Sequence, residues 1–322
     1  MSASRLQEWF PWLEAPIVVS APMAFAATPQ LAVEVTKAGG FGFLSSYIDL
    51  SEGSPHLAAL DSDLTYCREH LGDAPDKPTR VGASFLTGHA SITKFSETAL
   101  PLIQKHKPAA VWLFAPKVAV KPHGLIIKAL KGLDVPPKVF VQVGNATAAR
   151  EAIEDGADVL VCQGIDAGGH QYQRGMGVVP LLLEVRRLLE AEYKDRDFTV
   201  ANESVYPDFR KQQIIQAKDG GSSTLKSPFH DHIGNHELFW GHAYDGRALV
   251  GPLHEKYLAS TSFEECRRSL KEDFSAEEAE KVINTWAGTA VGIINKSQPA
   301  GEIVREVREE AKQAIRKVAG LL

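Results

Sequence analysis

The chain has 322 residues, of which 44% are apolar and 23% charged, with a net charge of −5 at neutral pH. This is the composition of an ordinary globular protein, and it excludes disorder, collagen-like repeats and a disulfide-stapled miniprotein. No basic block stands out, which argues against nucleic acid or anionic membrane as a partner.

In chain order, short apolar runs alternate with helical patterns, and Gly or Pro marks the changes. Residues 17–21 read as a strand and 29–38 as a helix that Gly39 and Gly40 end; 41–44 is a second strand and 55–70 a second helix. Residues 73–79 form a connection. The next three strands are 80–85, 110–114 and 138–143, with helices at 91–106 and 123–130 between them. Thr147 is the expected cap of a helix over 148–155, which Gly156 stops. Residues 159–162 are a sixth strand, 163–177 a Gly-rich loop, 179–192 a helix, and 198–200 the start of a seventh strand.

The pattern then breaks. Residues 207–218 read as one amphipathic helix, the stretch to about 261 as loop, and 276–286 and 301–319 as closing helices. Buried strands alternating with helices imply a parallel sheet, and six or seven such units favour a TIM-type (β/α)8 barrel. The barrel is expected to be incomplete around strands 7 and 8, with C-terminal helical additions. A doubly wound sheet is the second choice, and its usual GxGxxG turn is missing. The expected division is a barrel portion over 1–200 and, on the same domain, a loop-rich insertion with closing helices over 201–322.

Cys67, Cys162 and Cys266 are odd in number and form no CxxC pair, which suits a reducing compartment and argues against a thiolate zinc site. The first 16 residues, with Glu8 and Glu14, lack the apolar core of a signal peptide, and no apolar run approaches a membrane span. The C-terminal KVAGLL does not read as a peroxisomal or prenylation signal. The expected location is the cytoplasm.

The strongest local feature is QGIDAGGH at 163–170, directly after a strand and so on the face where barrel active sites lie. Paired glycines let backbone approach a flat ligand, and the histidine beyond them, His170, is suited to act as a base near neutral pH. The plainer alternative is a tight turn followed by a surface histidine. Ala21, Pro22 and Met23 stand at the exit of the first strand; Pro22 shapes the exit, and Met23 offers either a soft face to a planar ring or a core side chain. Ser84 and Gln142 lie at strand depths where a polar group meets a ligand or is satisfied internally. His230, His232, His236 and His242 cluster with Asp231 and Glu237, but without HExxH, so a histidine-rich lid or packing segment is preferred over a metal site.

A family resemblance follows from four segments. The opening PIVVSAPMAFAATPQLAVEVTKAGGFGFL resembles that of nitronate monooxygenases, also called 2-nitropropane dioxygenases. KVFVQVGNATAAREAIEDGADVLVCQGIDAGGHQ is similar to the same family's central βαβ unit, and AAVWLFAP and WAGTAVGIINKSQPAGEIVREVREEA also resemble it. The match covers nearly the whole chain, and the paired APM and QGxDAGGH motifs are its most specific part.

The resemblance implies an FMN-dependent TIM-barrel oxidoreductase that oxidises alkyl nitronates with dioxygen to carbonyl compounds and nitrite. It implies His170 as catalytic base, Ala21, Pro22 and Met23 along the isoalloxazine, and Gln163, Gly168 and Gly169 as flavin contacts, with Ser84 and Gln142 added. One departure is visible. Relatives carry an AAGGI-like turn, a helix, an eighth strand and a GTRF-like turn, and those turns bind the FMN phosphate. Here Asp197-Phe198-Thr199-Val200 runs straight into Ala201-Asn202-Glu203-Ser204, so about one βα unit, roughly thirty residues, is absent. Two other readings therefore stand beside the first: an FMN-dependent NAD(P)H enoyl-thioester or quinone reductase, and a non-catalytic remnant without the phosphate site.

Overall fold

The computed structural model describes residues 2–24, 26–193, 208–234, 237–294 and 296–321. Helix α1 (Ser2–Trp9) comes first. Then β1 (Val19–Ser20), α2 (Pro29–Lys37), β2 (Phe41–Tyr47), α3 (Pro55–Leu71), β3 (Thr79–Leu86) and α4 (Phe95–His106) alternate. They are followed by β4 (Pro108–Phe114), α5 (His123–Lys131), β5 (Lys138–Val143), α6 (Ala146–Glu154) and β6 (Val159–Cys162). A short β7 (Gly169–Tyr172) precedes α7 (Val178–Glu192). The C-terminal third holds α8 (Asp208–Gln216), α9 (Gly220–Ser223), β8 (Thr224–Ser227), α10 (Phe229–Gly234), α11 (Glu237–Trp240) and β9 (Tyr244–Leu249). It ends with α12 (Pro252–Leu258), α13 (Phe263–Glu272), α14 (Ala276–Ile283) and α15 (Ala300–Ala319).

Strands β1 to β6 form one parallel sheet in sequential order, the wall of half a barrel. The helices start where local chemistry tells them to. Thr28 Oγ1 accepts from Leu31 N (3.2 Å) ahead of Pro29, and Ser54 Oγ from Leu57 N (3.3 Å) ahead of Pro55. One core lies between the sheet and its helices and includes Leu44, Leu60, Leu64, Phe85, Ile103 and Val141. A second lies on the opposite face, where Leu6, Phe10 and Leu13 from the N-terminal segment meet Phe41, Phe43, Trp112 and Phe140. The rings interlock, with centroids 4.7 Å apart for Phe10 and Phe41 and 5.1 Å for Phe43 and Trp112.

Several elements differ from the expectation. Asn145, not Thr147, caps the sixth helix, its side chain accepting from Ala148 N at 2.9 Å; Asn145 has the extended backbone of a cap, whereas Thr147 is already inside the helix. The loop over 163–177 contains β7, and the stretch read as loop to about 261 contains three short helices, two strands and all of α12. β7, β8 and β9 form a separate antiparallel sheet in the order β7-β9-β8. The helix over 263–272 was not foreseen, and the one expected over 276–286 stops at Ile283. The seventh strand expected at 198–200 lies outside the described residues. No helix among the described residues is long and apolar enough to cross a membrane.

His123, at the start of α5, is buried beneath the strand exits. Thr87 Oγ1 donates to Phe114 O (3.0 Å), so it accepts from His123 Nε2 (2.8 Å). Burial pushes the imidazole down to about 4 from its ordinary 6.5. The unfolded chain therefore takes up this proton first. The stability held by the neutral ring is complete above pH 6.5 and falls away towards pH 4, by about 3 kcal/mol. Thermal melts between pH 7 and 4 should show this loss, and His123→Gln should melt with a shallower pH slope while being less stable at pH 7. An unchanged slope would remove His123 from the acid response.

Candidate active site

The strand exits are tied together by small hydroxyls. Ser20 Oγ accepts from Phe43 N (3.2 Å), Ser45 Oγ donates to Met23 O (3.2 Å) and Ser46 Oγ to Pro22 O (3.4 Å). Ser84 Oγ lies 3.0 Å from Ser46 Oγ and 3.3 Å from Leu44 O. Ser84 is buried, so its hydroxyl serves β2 and β3 from within, whereas Ala21, Pro22 and Met23 stay partly exposed at the exit of β1. Met23 also packs against the cluster of Val18, Leu31 and Val35.

A relay of amides crosses the next three strands. Trp112 Nε1 donates to Gln142 Oε1 (3.1 Å), Gln142 Nε2 to Gln163 Oε1 (2.7 Å), and Gln163 Nε2 to His170 O (3.1 Å). Each amide accepts through oxygen and donates through nitrogen, which fixes its orientation. Gln142 and Gln163, both expected site residues, thus hold the backbone of the third, His170.

His170 itself sits on β7, directly opposite Gly246 of β9. Gly169 before it has φ +78° and nothing within 4 Å of where a Cβ would stand, so the chain turns there beside open space. Gly168 packs instead against the Ala287–Gly288 backbone, with a Cβ position 2.8 Å from Ala287 C. The same segment clamps the loop through Thr289 N, which donates to Asp166 O (2.9 Å).

The imidazole is held on all sides. Its Nε2 lies 2.7 Å from Asp231 Oδ1, and Asp231 is buried on α10. A carboxylate only accepts, so the neutral ring carries its proton on Nε2 and its lone pair on Nδ1. Trp240 stacks on one face (centroids 3.6 Å, planes 9° apart), and Trp286 leans against the ring at 4.6 Å and 56°. Trp286 fits because position 246 has no side chain: a Cβ on Gly246 would stand 2.2 Å from Trp286 Cζ3.

The neighbouring histidine behaves differently. His230 is buried, with Nδ1 2.9 Å from Ile283 O and Nε2 unpartnered among the described residues. Burial, then the nearby His254, pushes it down to about 4. His232 stacks on Phe263 (4.3 Å) and its carbonyl accepts from Arg267 Nε (2.6 Å), and His236 lies outside the described residues. Among the described residues no group of three His, Cys, Asp or Glu side chains is placed to hold a metal ion.

An open cavity of about 700 Å³ lies beside this site, at the exits of β3 and β4, and Trp240 stands in its wall. Sequence reasoning singled out His170 and the glutamines but missed Trp240, Gly246 and Trp286, and weighed Asp231 only as a metal ligand. None of these carries a local motif; each is brought in by the small antiparallel sheet and the segments beside it.

A histidine held by a carboxylate and two indoles stands beyond the last strand of a parallel sheet that curls as half of an α/β barrel. Similarity gives the family. No protein-family model matches the chain. It is 40% identical to a nitronate monooxygenase of Neurospora crassa, over 98% of this chain and 94% of the relative, and 26% identical to one of Metarhizium robertsii, over 98% and 97%. Both alignments run over 359 positions, more than the 322 residues of the chain, so each contains gaps in this sequence. Among solved structures, FabK from Thermotoga maritima superposes with a TM-score of 0.68 at 20% identity, over 99% of both chains. A nitroalkane oxidase from Streptomyces ansochromogenes gives 0.67 at 18%, over 96% of this chain and 99% of that one. The chain belongs to the nitronate monooxygenase family, and it is an enzyme.

The packing behind His170 is testable. Gly246→Ala sets a methyl against the Trp286 ring and should cost about 1–3 kcal/mol, the usual range for overpacking a filled site. A lowered melting temperature together with an altered near-ultraviolet circular dichroism from the displaced indole is expected. A variant that melts with wild type would show that Trp286 is not held there.

Proposed function

We propose that the protein oxidises alkyl nitronates, and nitroalkanes that it first deprotonates, with dioxygen on bound FMN, releasing a carbonyl compound and nitrite. The observation that carries this reading is the His170–Asp231 pair, 2.7 Å apart, set in the 163–170 motif of a chain 40% identical to a nitronate monooxygenase. We place the chemistry in the 1–200 portion and the covering elements in 201–322, in a cytoplasmic enzyme of small molecules.

The residues present fit the flat ring of a flavin. Ala21, Pro22 and Met23 form a partly exposed edge whose Pro22 and Met23 carbonyls are already tied down, and space stands open at Gly169. We assign these four residues, with Gly168 and the amide of Gln163, to the ring. Ser84 and Gln142 act one step back, through Ser46 and Gln163. The alignment with the relative is longer than this chain, and the parallel sheet of the described residues has six strands. Both support an incomplete barrel. Barrel phosphate sites commonly come from the loops after strands 7 and 8. FMN is therefore held chiefly through its ring, and we expect it to be lost readily on dilution.

When bound, FMN supplies electron uptake and the reaction with dioxygen. The side chains do the rest. His170 takes the acidic α-proton of a nitroalkane at Nδ1, the atom that the Asp231 contact leaves free. The imidazolium so formed faces the nitronate anion, and Asp231 balances its charge. Trp240 and Trp286 shield the ring from water, which strengthens both interactions.

Purified protein supplied with FMN should show flavin absorbance, a raised melting temperature, and oxygen uptake with ethyl nitronate. At a hundredfold excess over Kd the stabilisation is about 2.7 kcal/mol. A colourless protein with no shift at saturating FMN sinks the proposal. His170→Asn should lower turnover of neutral nitroethane by about 10²–10⁴-fold and spare pre-formed ethyl nitronate. Asp231→Asn should lower nitroethane turnover at least about tenfold and shift its pH profile. Equal losses on both substrates would exclude proton abstraction as the step these residues serve.

A further inference from the structure

Helix α15 is longer than the helix it docks on. It has 20 residues, about 30 Å, whereas α2 beneath it has 9, about 14 Å. The docked part is the first half, where Gly301, Val304 and Arg308 are buried. Every residue from 313 to 321 is exposed, so the second half overhangs the body of the protein.

An overhanging helix with no neighbour has no use for an apolar stripe. This one carries one. Ile303, Val307, Ala311, Ala314 and Val318 recur at intervals of four, four, three and four, which places them on one face. Val307 is 42% exposed and Val318 60%, and Ile315 beside the stripe is 61% exposed.

Charge divides along the same helix. Glu302, Glu306, Glu309 and Glu310 lie in the first half, where the buried Arg308 is held by Glu14 and Arg305 is exposed. Lys312, Arg316 and Lys317 lie in the second half, which has no acid. Two of these charges have local partners: Glu306 meets Lys296 (3.1 Å), and Lys312 meets Glu309 (3.9 Å). Glu310 and Arg316 have no ion partner among the described residues. The helix dipole favours such a division only in the first and last turns, and Glu309, Glu310 and Lys312 lie at the middle.

We propose that α15 pairs antiparallel with α15 of a second copy of this chain, forming a reversible homodimer. With the two-fold axis beside Ala311, Ile303 meets Val318 of the other copy and Val307 meets Ala314. Glu306 and Glu310 then lie along Arg316 and Lys312 across the axis. A parallel pair would set acid on acid and base on base, which is destabilising. The overhang leaves room: each docked half receives the free half of the other copy, and the two bodies lie at opposite ends. One helix pair buries less than the roughly 1,200 Å² of a standard interface, so the association is weak and sensitive to salt. Pairing needs neither FMN nor turnover and stands apart from the reaction.

Sedimentation velocity of the whole protein from about 1 to 200 μM should show reversible growth from monomer to dimer. Raising salt from about 50 to 500 mM should weaken it at least about fivefold. Val318 is exposed, so Val318→Asp should melt with wild type yet weaken the dimer at least about tenfold. Lys312→Glu with Arg316→Glu, and separately Glu306→Lys with Glu310→Lys, should each be monomeric alone and form the dimer when mixed. A monomer at every concentration overturns the proposal. So does a dimer that Val318→Asp and the charge variants leave intact, since its interface then lies elsewhere.

Discussion

Four residue pairs join β7 to β9, from Gly169 with Arg247 to Tyr172 with Tyr244, and in that register His170 stands opposite a residue with no side chain. The site depends on this pairing. A histidine at the end of a glycine-rich loop has many rotamers and a mobile backbone. On a strand its backbone is fixed by a ladder, and its carbonyl is further held by Gln163 (3.1 Å). Gly246 then admits Trp286, and Trp286 and Trp240 leave the ring little freedom. A one-residue slip of β7 against β9 would turn the imidazole to the other side of this small sheet. Arg247, the next residue on β9, resists such a slip, since its Nε donates to Ile165 O (3.0 Å) in the loop that leads into β7.

The electrostatics around the imidazole follow from two adjacent residues with opposite fates. Asp231 is buried and ionisable but has the His170 ring at 2.7 Å. His230 is buried with a carbonyl and an unpartnered nitrogen, and burial keeps it neutral down to about pH 4. A second cation here would oppose protonation of His170. Because His230 stays neutral, the carboxylate of Asp231 faces one prospective cation. Trp286 touches both rings, at 4.6 Å from His170 and 5.3 Å from His230. A single indole thus packs against both imidazoles.

What the sequence conveys of this depends on range. The βα units could be read because each is set by neighbours: Thr28-Pro29 and Ser54-Pro55 open helices, and short apolar runs become strands. Thr147 is the expected cap of the sixth helix, but Asn145 two residues earlier caps it, since only geometry decides which side chain reaches the free N–H. The 163–170 motif was legible because glycine pair, strand exit and histidine are contiguous. Asp231, Trp240 and Trp286 lie 61 or more positions from His170 and reach it through short strands and helices rich in polar residues, which carry no usable period. Asp231 was visible only as one acid among histidines. Its meaning came from a hydrogen bond that the chain makes after folding.

Among the described residues the parallel sheet has two edge strands, and strand length limits both. The inner strands β2 to β5 run 7, 8, 7 and 6 residues, whereas the edges β1 and β6 run only 2 and 4. Short edges present few free N–H and C=O groups to a foreign strand. The first edge is also pinned across the whole length of the chain. Helix α15 packs on α2, and the buried Arg308 donates through Nη1 to Glu14 Oε2 and to Ala38 O, both at 2.9 Å, and through Nε to Pro16 O at 3.3 Å. The guanidinium has two partners just before β1, Glu14 and Pro16, and a third at the end of α2, Ala38. It fixes the start of β1, and therefore the Ala21-Pro22-Met23 exit, from the far end of the sequence. The two walls of the site are thus held by different means: the β1 side by an ion pair and backbone carbonyls, the His170 side by a three-stranded ladder.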